Sequence, residues 1–413
     1  MCEEVREVWR EAQMKISKVE TIRPLDHPNV LWILLHDDQG NVGLGETFFG
    51  QTVIEEYVHT SAAPILLGLK SALPEIAHLA LTPYTGFQGG GVEQRTLGGI
   101  DIGLWDLWGK RTNLPVVDLL GGGVRDDIKI YNTCAGPDYV RKTTSQHTKN
   151  WGLKGAADSS KWEDLTAFFE RPAELARDLL DSGIKGMKIW PFDPAAEATN
   201  GAYISQEDLS KTLKIFEKIR NEVGMEMDLM VELHGLWQRT PVEMIMHGLA
   251  EFNPFWIEDP IRPDAIDAIS FLRESTGLRI ATGETVVGRR GVLPLLQKNA
   301  VDILTIDTQW TGGLTEARKV ATLADTYATA IAPHDCTGPV SLAACTHLVL
   351  SQKNGIIQET VRAFLNTWYS DFTTGMPPIK DGRISVTRDP GHGVQLNPEL
   401  LKSDRIVRRE SVA

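Results

Sequence analysis

From residue 128 onward, short apolar runs alternate with stretches of helical period. The runs are IKIYNTC (128–134), GMKIW (186–190), DLMVEL (228–233), PFWIE (254–258), LRIATGE (278–284), VDILTID (301–307), TAIAPH (329–334) and GIIQE (355–359). Between them lie segments such as SQEDLSKTLKIFEKIRNEVG (205–224) and LTEARKVATLADTY (314–327), with apolar residues at helical spacing. Eight strands alternating with helices predict a parallel sheet, and eight is the number that closes a barrel. The stretch 136–180 and the insert PFDPAAEATNGAYI (191–204) lengthen the first two units, on the side where loops that cover a site belong.

The first third follows a different grammar. MKISKVETIR and VLWILLHDD predict a strand pair, with the turn in DDQGNVGLGE. Residues 52–115 are helical in pattern. GGIDIGLWDLWGKRTNLPV carries apolar residues at 100, 104, 107 and 108, one core-facing stripe, and Pro115 marks its stop. The chain breaks around LLGGGVRDD (119–127). At the other end, PPIKDGRISVTRDPGHGVQLN reads as a hairpin and loop returning to the N-terminal part, and the tail after Asp404 is expected to fray.

At 413 residues the chain exceeds what one core usually holds, so two domains are expected. Lys and Arg number 42 against 55 Asp and Glu, a net charge of −13, which argues against nucleic acid or an anionic membrane as partner. An anionic substrate would then need a local positive centre. Cys2, Cys134, Cys336 and Cys345 are too few and too scattered for a disulfide framework or a zinc site. MCEEVREVWR lacks the apolar core of a secretory signal, and no window approaches a membrane span, so a cytoplasmic location is expected.

The strand ends carry the chemistry. They are Lys188, Glu232, Glu258, Glu284, Asp307, His334 and Glu359, spaced from Glu232 onward by 23 to 27 residues, one βα unit each time. A single Glu at a strand end more often serves as a charge for the next helix. Three in successive units, each after an apolar run, reverse that preference, because the C-terminal ends of barrel strands converge on one mouth. Three carboxylates left unpaired there would repel. A hard divalent cation with oxygen ligands, Mg²⁺ first, resolves the conflict. His334 alone reads equally well as a core histidine. Asp307 one unit earlier can fix its tautomer and raise its basicity, which makes it a candidate general base. In VELHGLW, Glu232 and His234 would share a strand face, giving the site a second imidazole. A core pair or a helix cap is the bland alternative for that motif alone.

The ordered set VELH, WIEDP, ATGE, IDTQWTGG, APH and IIQE, preceded by GNVGLGE and IDIGLWDLWGKRTNLPVVDLLGG, resembles the enolase superfamily and its mandelate racemase-like subgroup. The resemblance covers most of the chain and implies an α+β capping domain (1–127) followed by a modified TIM barrel, (β/α)7β (128–374). The segment from about 375 to 413 would pack back on the cap. It also implies one Mg²⁺ on Glu232, Glu258 and Glu284, a base made by Asp307 and His334, and Glu359 hydrogen-bonded to the substrate carboxylate or enolate. Two positions depart from the family pattern. Glu232 stands where Asp is usual, and in KIW Lys188 matches the first lysine of a KxK motif while Trp190 replaces the second. An indole takes no proton, which argues against two-base racemisation; it can wall a pocket or stack on a sugar ring.

The ExH motif resembles that of the superfamily's acid-sugar dehydratases, while KIWPFD, VELHGLW and APHDCTGPV also resemble the anhydrogalactonate cycloisomerase-type branch, and the sequence does not separate the two. The expected reaction is β-elimination from a small anionic sugar acid, an aldonate or aldarate, giving a 2-keto-3-deoxy acid. His334 would remove the α-proton, His234 would protonate the leaving oxygen and Lys188 would assist the enediolate charge. Trp190, Phe49 and Asn132 are the expected substrate contacts, with Phe48 and Phe49 either over the mouth or packed between the domains. A cycloisomerase, racemase or epimerase on the same framework is the alternative. A barrel that only binds a sugar acid, or a structural homo-oligomer with a decayed site, is the non-catalytic rival, and a homo-oligomer is expected either way.

Overall fold

The structure, a computed structural model, describes residues 13–82, 90–141, 143–144 and 161–413. Cys2 and the N-terminal decapeptide lie outside the described residues, as does part of the 136–180 stretch.

The N-terminal sheet has four strands where the sequence pattern predicts a pair. β1 (Ile16–Pro24) and β2 (Val30–Asp37) pair antiparallel as expected. The turn ends at Asn41, however, and VGLGETF forms β3 (Val42–Phe48) along the far edge of β2. Its two glycines disguise it. They are there because the helix Val92–Thr112 lies directly on the strand: a Cβ at Gly43 or Gly45 would collide with the backbone oxygens of Gly103 or Gly99. Gly45→Ala should therefore force helix and sheet apart. With backbone on both sides of the clash, the cost is expected at the upper end for overpacking, about 3 kcal/mol. It would be read as a lower denaturant midpoint at unchanged slope.

That helix also departs from a single stripe. It is buried on both sides from Thr96 to Leu107, between its own sheet and the barrel. Leu104 and Leu107 join the N-terminal core, whereas Trp105 donates Nε1–H to Thr315 Oγ1 at 2.9 Å and Asp101 accepts the Thr315 N–H at 2.9 Å. It stops at Asn113, which takes the left-handed conformation at φ 56°.

The barrel strands are β4 (Asp127–Thr133), β5 (Gly186–Ile189), β6 (Asp228–Glu232), β7 (Trp256–Glu258), β8 (Ile280–Thr282), β9 (Ile303–Leu304), β10 (Ala330–Ile331) and β11 (Gln358–Thr360). Each pairs in parallel with the next as far as β10, β11 pairs with β4, and a bridge between Ile331 and Gly355 closes the ring. Long helices follow the first seven strands, while β11 leads only into the short turn Arg362–Leu365, so the barrel is (β/α)7β. Inside it, Tyr131, Met230, Trp256, Ala281, Ile303, Ala332 and Ile357 form one apolar plug. Tyr131, Met230, Trp256, Ala332 and Ile357 each precede by two residues a polar residue, respectively Thr133, Glu232, Glu258, His334 and Glu359. With side chains alternating along a strand, the layer above the plug is polar.

The C-terminal segment serves both parts. β12 (Thr373–Thr374) pairs with β15 (Gln395–Leu396), and the hairpin of β13 (Ile379–Lys380) and β14 (Arg383–Ser385) adds to β4. The tail after Asp404 is not frayed. It forms β16 (Ile406–Val412), which pairs with β1 over seven residues. Nearness to the terminus is outweighed there by side-chain ties: Arg408 Nη1 reaches Glu20 Oε1 at 2.9 Å, and Ser411 Oγ lies 2.8 Å from His59 Nδ1. Glu46 on β3 locks the cap to the barrel. Its carboxylate accepts from Trp32 Nε1 at 2.9 Å and from Gln309 Nε2 and the Ser341 N–H at 3.0 Å each, and burial pushes it up to about 7.

Candidate active site

The polar layer opens into a cavity of about 1090 Å³ at the C-terminal ends of the strands. Its floor is lined by Thr133, Lys188, Glu232, Glu284, His334 and Glu359, and Phe49 and Arg95 of the N-terminal domain reach over it.

Glu232, Glu258 and Glu284 each offer an oxygen within 4.8 Å of the others. The three acids are not unpaired, because Lys188 sits among them. Its Nζ is 3.4 Å from Glu232 Oε2, 3.0 Å from Glu258 Oε2 and 3.0 Å from Glu359 Oε1. One ammonium does not balance the set. Burial and the neighbouring acids, against the pull of Lys188, hold the Glu258 carboxyl well above its usual range, and its buried Oε1 has no hydrogen-bond partner among the described residues. An orphaned buried oxygen beside two further carboxylates fits a hard divalent cation such as Mg²⁺.

This fit predicts two thermal-shift results. At a hundredfold excess over its Kd, Mg²⁺ should stabilise the protein by about 2.7 kcal/mol. Glu258→Gln, neutral and similar in shape, should lose that shift while the metal-free protein stays at least as stable as wild type. An undiminished Mg²⁺ shift in the variant would remove Glu258 from the ligand set.

His334 and Asp307 form the expected pair: Nδ1 lies 2.8 Å from Asp307 Oδ2, and Nε2 is 3.3 Å from Glu284 Oε2. Asp307 is fixed in turn by the backbone N–H groups of Gln309 (2.7 Å) and Trp310 (2.9 Å), both donating to Oδ1. Burial works against a charged ring, yet Glu284, Glu359 and Asp307 hold His334 well above the usual imidazole range. Glu359 accepts from Thr133 Oγ1 and from the Asp335 N–H at 2.8 Å.

His234 reaches the cavity by a different route from strand alternation. β6 ends at Glu232, and His234 is turned by a left-handed φ of 51°. Glu232 Oε1 folds back to accept the N–H groups of Leu233 (3.0 Å) and His234 (2.7 Å). The ring Nδ1 lies 2.8 Å from Asp193 Oδ2, and Nε2 is 3.5 Å from the Tyr139 hydroxyl. Burial opposes the charged form, but Asp193 and Glu232 outweigh it and raise the imidazole to about 9. Two histidines thus border one cavity, each held through Nδ1 by its own buried aspartate.

Trp190 walls the cavity beside His234, with ring centres 5.7 Å apart, and packs on Tyr139 and Phe168. Phe49 lines the mouth, while Phe48 is buried in the core. Asn132 does not belong to the cavity. It points out of the barrel, where its Nδ2 donates to Asp164 Oδ2 at 2.9 Å and its Oδ1 accepts the Arg362 N–H at 2.8 Å. Alternation on β4 places Thr133 inside instead, and counting in twos from Tyr131 would have found it. Asp193, Tyr139, Arg95 and Trp310 were missed because they come from loops or the cap, outside the βα phase.

The sequence and fold match known proteins along nearly the whole chain. Residues 8–121 match the mandelate racemase / muconate lactonizing enzyme N-terminal domain, and residues 171–400 match the enolase C-terminal domain-like family. Among curated relatives, a D-galactonate dehydratase family member, RspA, of Pantoea ananatis is 28% identical over 88% of this chain and 87% of its own. D-galactonate dehydratase of Pectobacterium atrosepticum is 26% identical over 94% of each. Among solved structures, an enolase of the mandelate racemase subgroup from Agrobacterium tumefaciens is 41% identical, with a TM-score of 0.85 over 97% of this chain and 99% of that one. An enolase protein from Sargasso Sea environmental sequencing is 35% identical, with a TM-score of 0.84 over 97% and 99%. With both domains matched in order and the strand-end acids and histidines brought to one cavity, the chain belongs to the enolase superfamily, in its mandelate racemase subgroup.

Proposed function

We propose that the protein dehydrates a sugar acid by β-elimination, giving a 2-keto-3-deoxy acid. The observation that carries this reading is the pair of aspartate-held imidazoles, Asp307–His334 and Asp193–His234, on one cavity beside three clustered carboxylates. An elimination needs one group to take the α-proton and another to protonate the leaving oxygen. The dehydratase names of the curated relatives point the same way.

Glu232, Glu258 and Glu284 would hold one Mg²⁺, whose charge would favour the enediolate that forms when the α-proton leaves and would offset the Glu284 carboxylate, the strongest of the charges that raise His334, leaving that ring neutral enough to act as a base. The rest of the chemistry falls to the chain. His334 Nε2 takes the proton from the carbon next to the carboxylate, and Asp307 keeps Nδ1 as the protonated nitrogen so that Nε2 is the free base. Lys188, already 3.0 Å from Glu359, brings positive charge to the carboxylate end. His234, charged at neutral pH with its pKa near 9, gives its proton to the β-hydroxyl, which leaves as water while the electron pair of the α-carbon forms the C=C bond. The enol then tautomerises to the ketone. Phe49 and Trp190 narrow the space around the sugar chain and exclude bulk water.

Trp190 in place of a second strand-two base weighs against racemisation. A non-catalytic barrel fits poorly with a costly acidic cluster kept beside two oriented histidines. The test is to incubate the Mg²⁺-loaded protein with a panel of hexonates and hexarates and measure 2-keto-3-deoxy product. No keto product from any member, with isomerised acid or lactone instead, would transfer the assignment to the cycloisomerase or epimerase reading.

A further inference from the structure

Besides Lys188 on the floor and the exposed Arg262, the cavity holds one cation from the cap, the half-buried Arg95, four residues into the helix Val92–Thr112. Arg95 is a built feature. Its Nη1 donates to the Phe48 carbonyl at 2.7 Å, and its Cζ lies 4.5 Å from the centre of the Trp310 ring and 5.8 Å from that of Phe49. Among the described residues no carboxylate comes within 4 Å of it, the Phe48 carbonyl is the one acceptor that its guanidinium bonds, and Asp307 and Glu284 pull on it only from further off. Trp310 contributes a further buried donor, Nε1, that has no partner among the described residues. The rings hold the guanidinium plane, and the Phe48 carbonyl fixes its direction. A planar fork of donors left unmatched in this way suits a carboxylate.

Its position relative to the base gives the chemical class. Trp310 neighbours both groups, its ring 5.2 Å from that of His334 and 4.5 Å from the guanidinium carbon, so cation and base are at most about 10 Å apart. A substrate with its α-carbon about 3–3.5 Å from His334 Nε2 and its chain running along Trp310 has four C–C bonds of about 1.5 Å each from C2 to C6. A chain of that length can span from a carbon held at His334 to a carboxylate held at Arg95, both of which line the one cavity.

We infer that Arg95 binds a second carboxylate at the end of the substrate away from the carboxylate held at the acidic cluster, so that the preferred substrates are six-carbon sugar dicarboxylates, the hexarates, over the corresponding hexonates. This inference rests on the sugar-acid reading of the same site. A hexonate would set a neutral hydroxyl against the same cation and lose the charge-assisted pair.

The test compares hexarates and hexonates of matching configuration in Mg²⁺, both by kcat/KM and by calorimetric binding. Wild type should favour the hexarate by about tenfold to a hundredfold, the worth of a charge-assisted hydrogen bond. Arg95→Gln should remove most of that preference, and Arg95→Lys should restore part of it. Equal or better use of the hexonate by wild type overturns the inference, as does an unchanged preference in a folded Arg95→Gln variant. If Arg95→Gln fails to fold, the wild-type preference decides. The binding measurement separates the two readings. Selective hexarate binding without turnover would sink the dehydration and leave Arg95 as the carboxylate site, whereas dehydration confined to hexonates would do the reverse.

Discussion

In D₂O, His334→Asn should leave the substrate α-proton in place, and turnover should fall by about 10²–10⁴, the usual worth of a general base. The geometry around His334 makes the result specific. Its Nδ1 is taken by Asp307, its Nε2 faces the cavity beside Glu284, and Trp310 packs against its ring. Asparagine has no basic nitrogen to put in that place. Asp307→Asn tests the orientation of the ring. Two backbone N–H groups already claim the Oδ1 position of Asp307, so the asparagine oxygen is expected to stay there and turn its NH₂ toward His334. Nδ1 then becomes an acceptor and the proton moves to Nε2, the wrong nitrogen for a base. Inverting a catalytic imidazole in this way costs about 10⁴ elsewhere. Exchange at the wild-type rate in His334→Asn would mean that another group takes the proton, with His234 the first to examine.

What was legible in the sequence follows from which positions obey a period. Glu232, Glu258, His334 and Glu359 stand one layer above an apolar plug, so the recurrence of apolar run and polar end recorded the barrel's own repeat. Asp307 and Glu284 fall just past their strands and still kept the phase. Asn132 shows how sharp the rule is, since a shift of one residue moved the assignment from the cavity to the outer wall, where it bonds Asp164. Arg95 and Asp193 obey no such period. One begins a cap helix that crosses to the barrel, and the other opens a short helix inside an insert, so only the folded chain brings them to the site. β3 was hidden for a packing reason. Glycines that read as a turn are demanded there by a helix lying on the strand. The fraying expected after Asp404 failed because side-chain pairs across β1 and β16 anchor the tail.

Separating the two histidines has the clearest reading in His234→Asn. The replacement suits the backbone, because His234 is held at φ 51° and asparagine is the residue other than glycine that best accepts that region. The substitution also keeps the backbone N–H that donates to Glu232 Oε1 at 2.7 Å, so the first carboxylate of the cluster stays in place. What is lost is the proton held by Asp193 and Glu232. Turnover to the keto acid should then fall by about 10²–10⁴, the value of a general acid, while His334 and Asp307 remain to take and return the α-proton. Recovered substrate should carry deuterium without product, provided the proton on His334 reaches water before it is returned. Asp193→Asn should show the same split more weakly, since the imidazole survives but loses the charge that raises it and the partner that aims it. Losing exchange and turnover together in His234→Asn would make His234 part of the deprotonation. A site with bases on both sides of the α-carbon would then be a racemase, an epimerase or a cycloisomerase, and the dehydratase reading would give way to it.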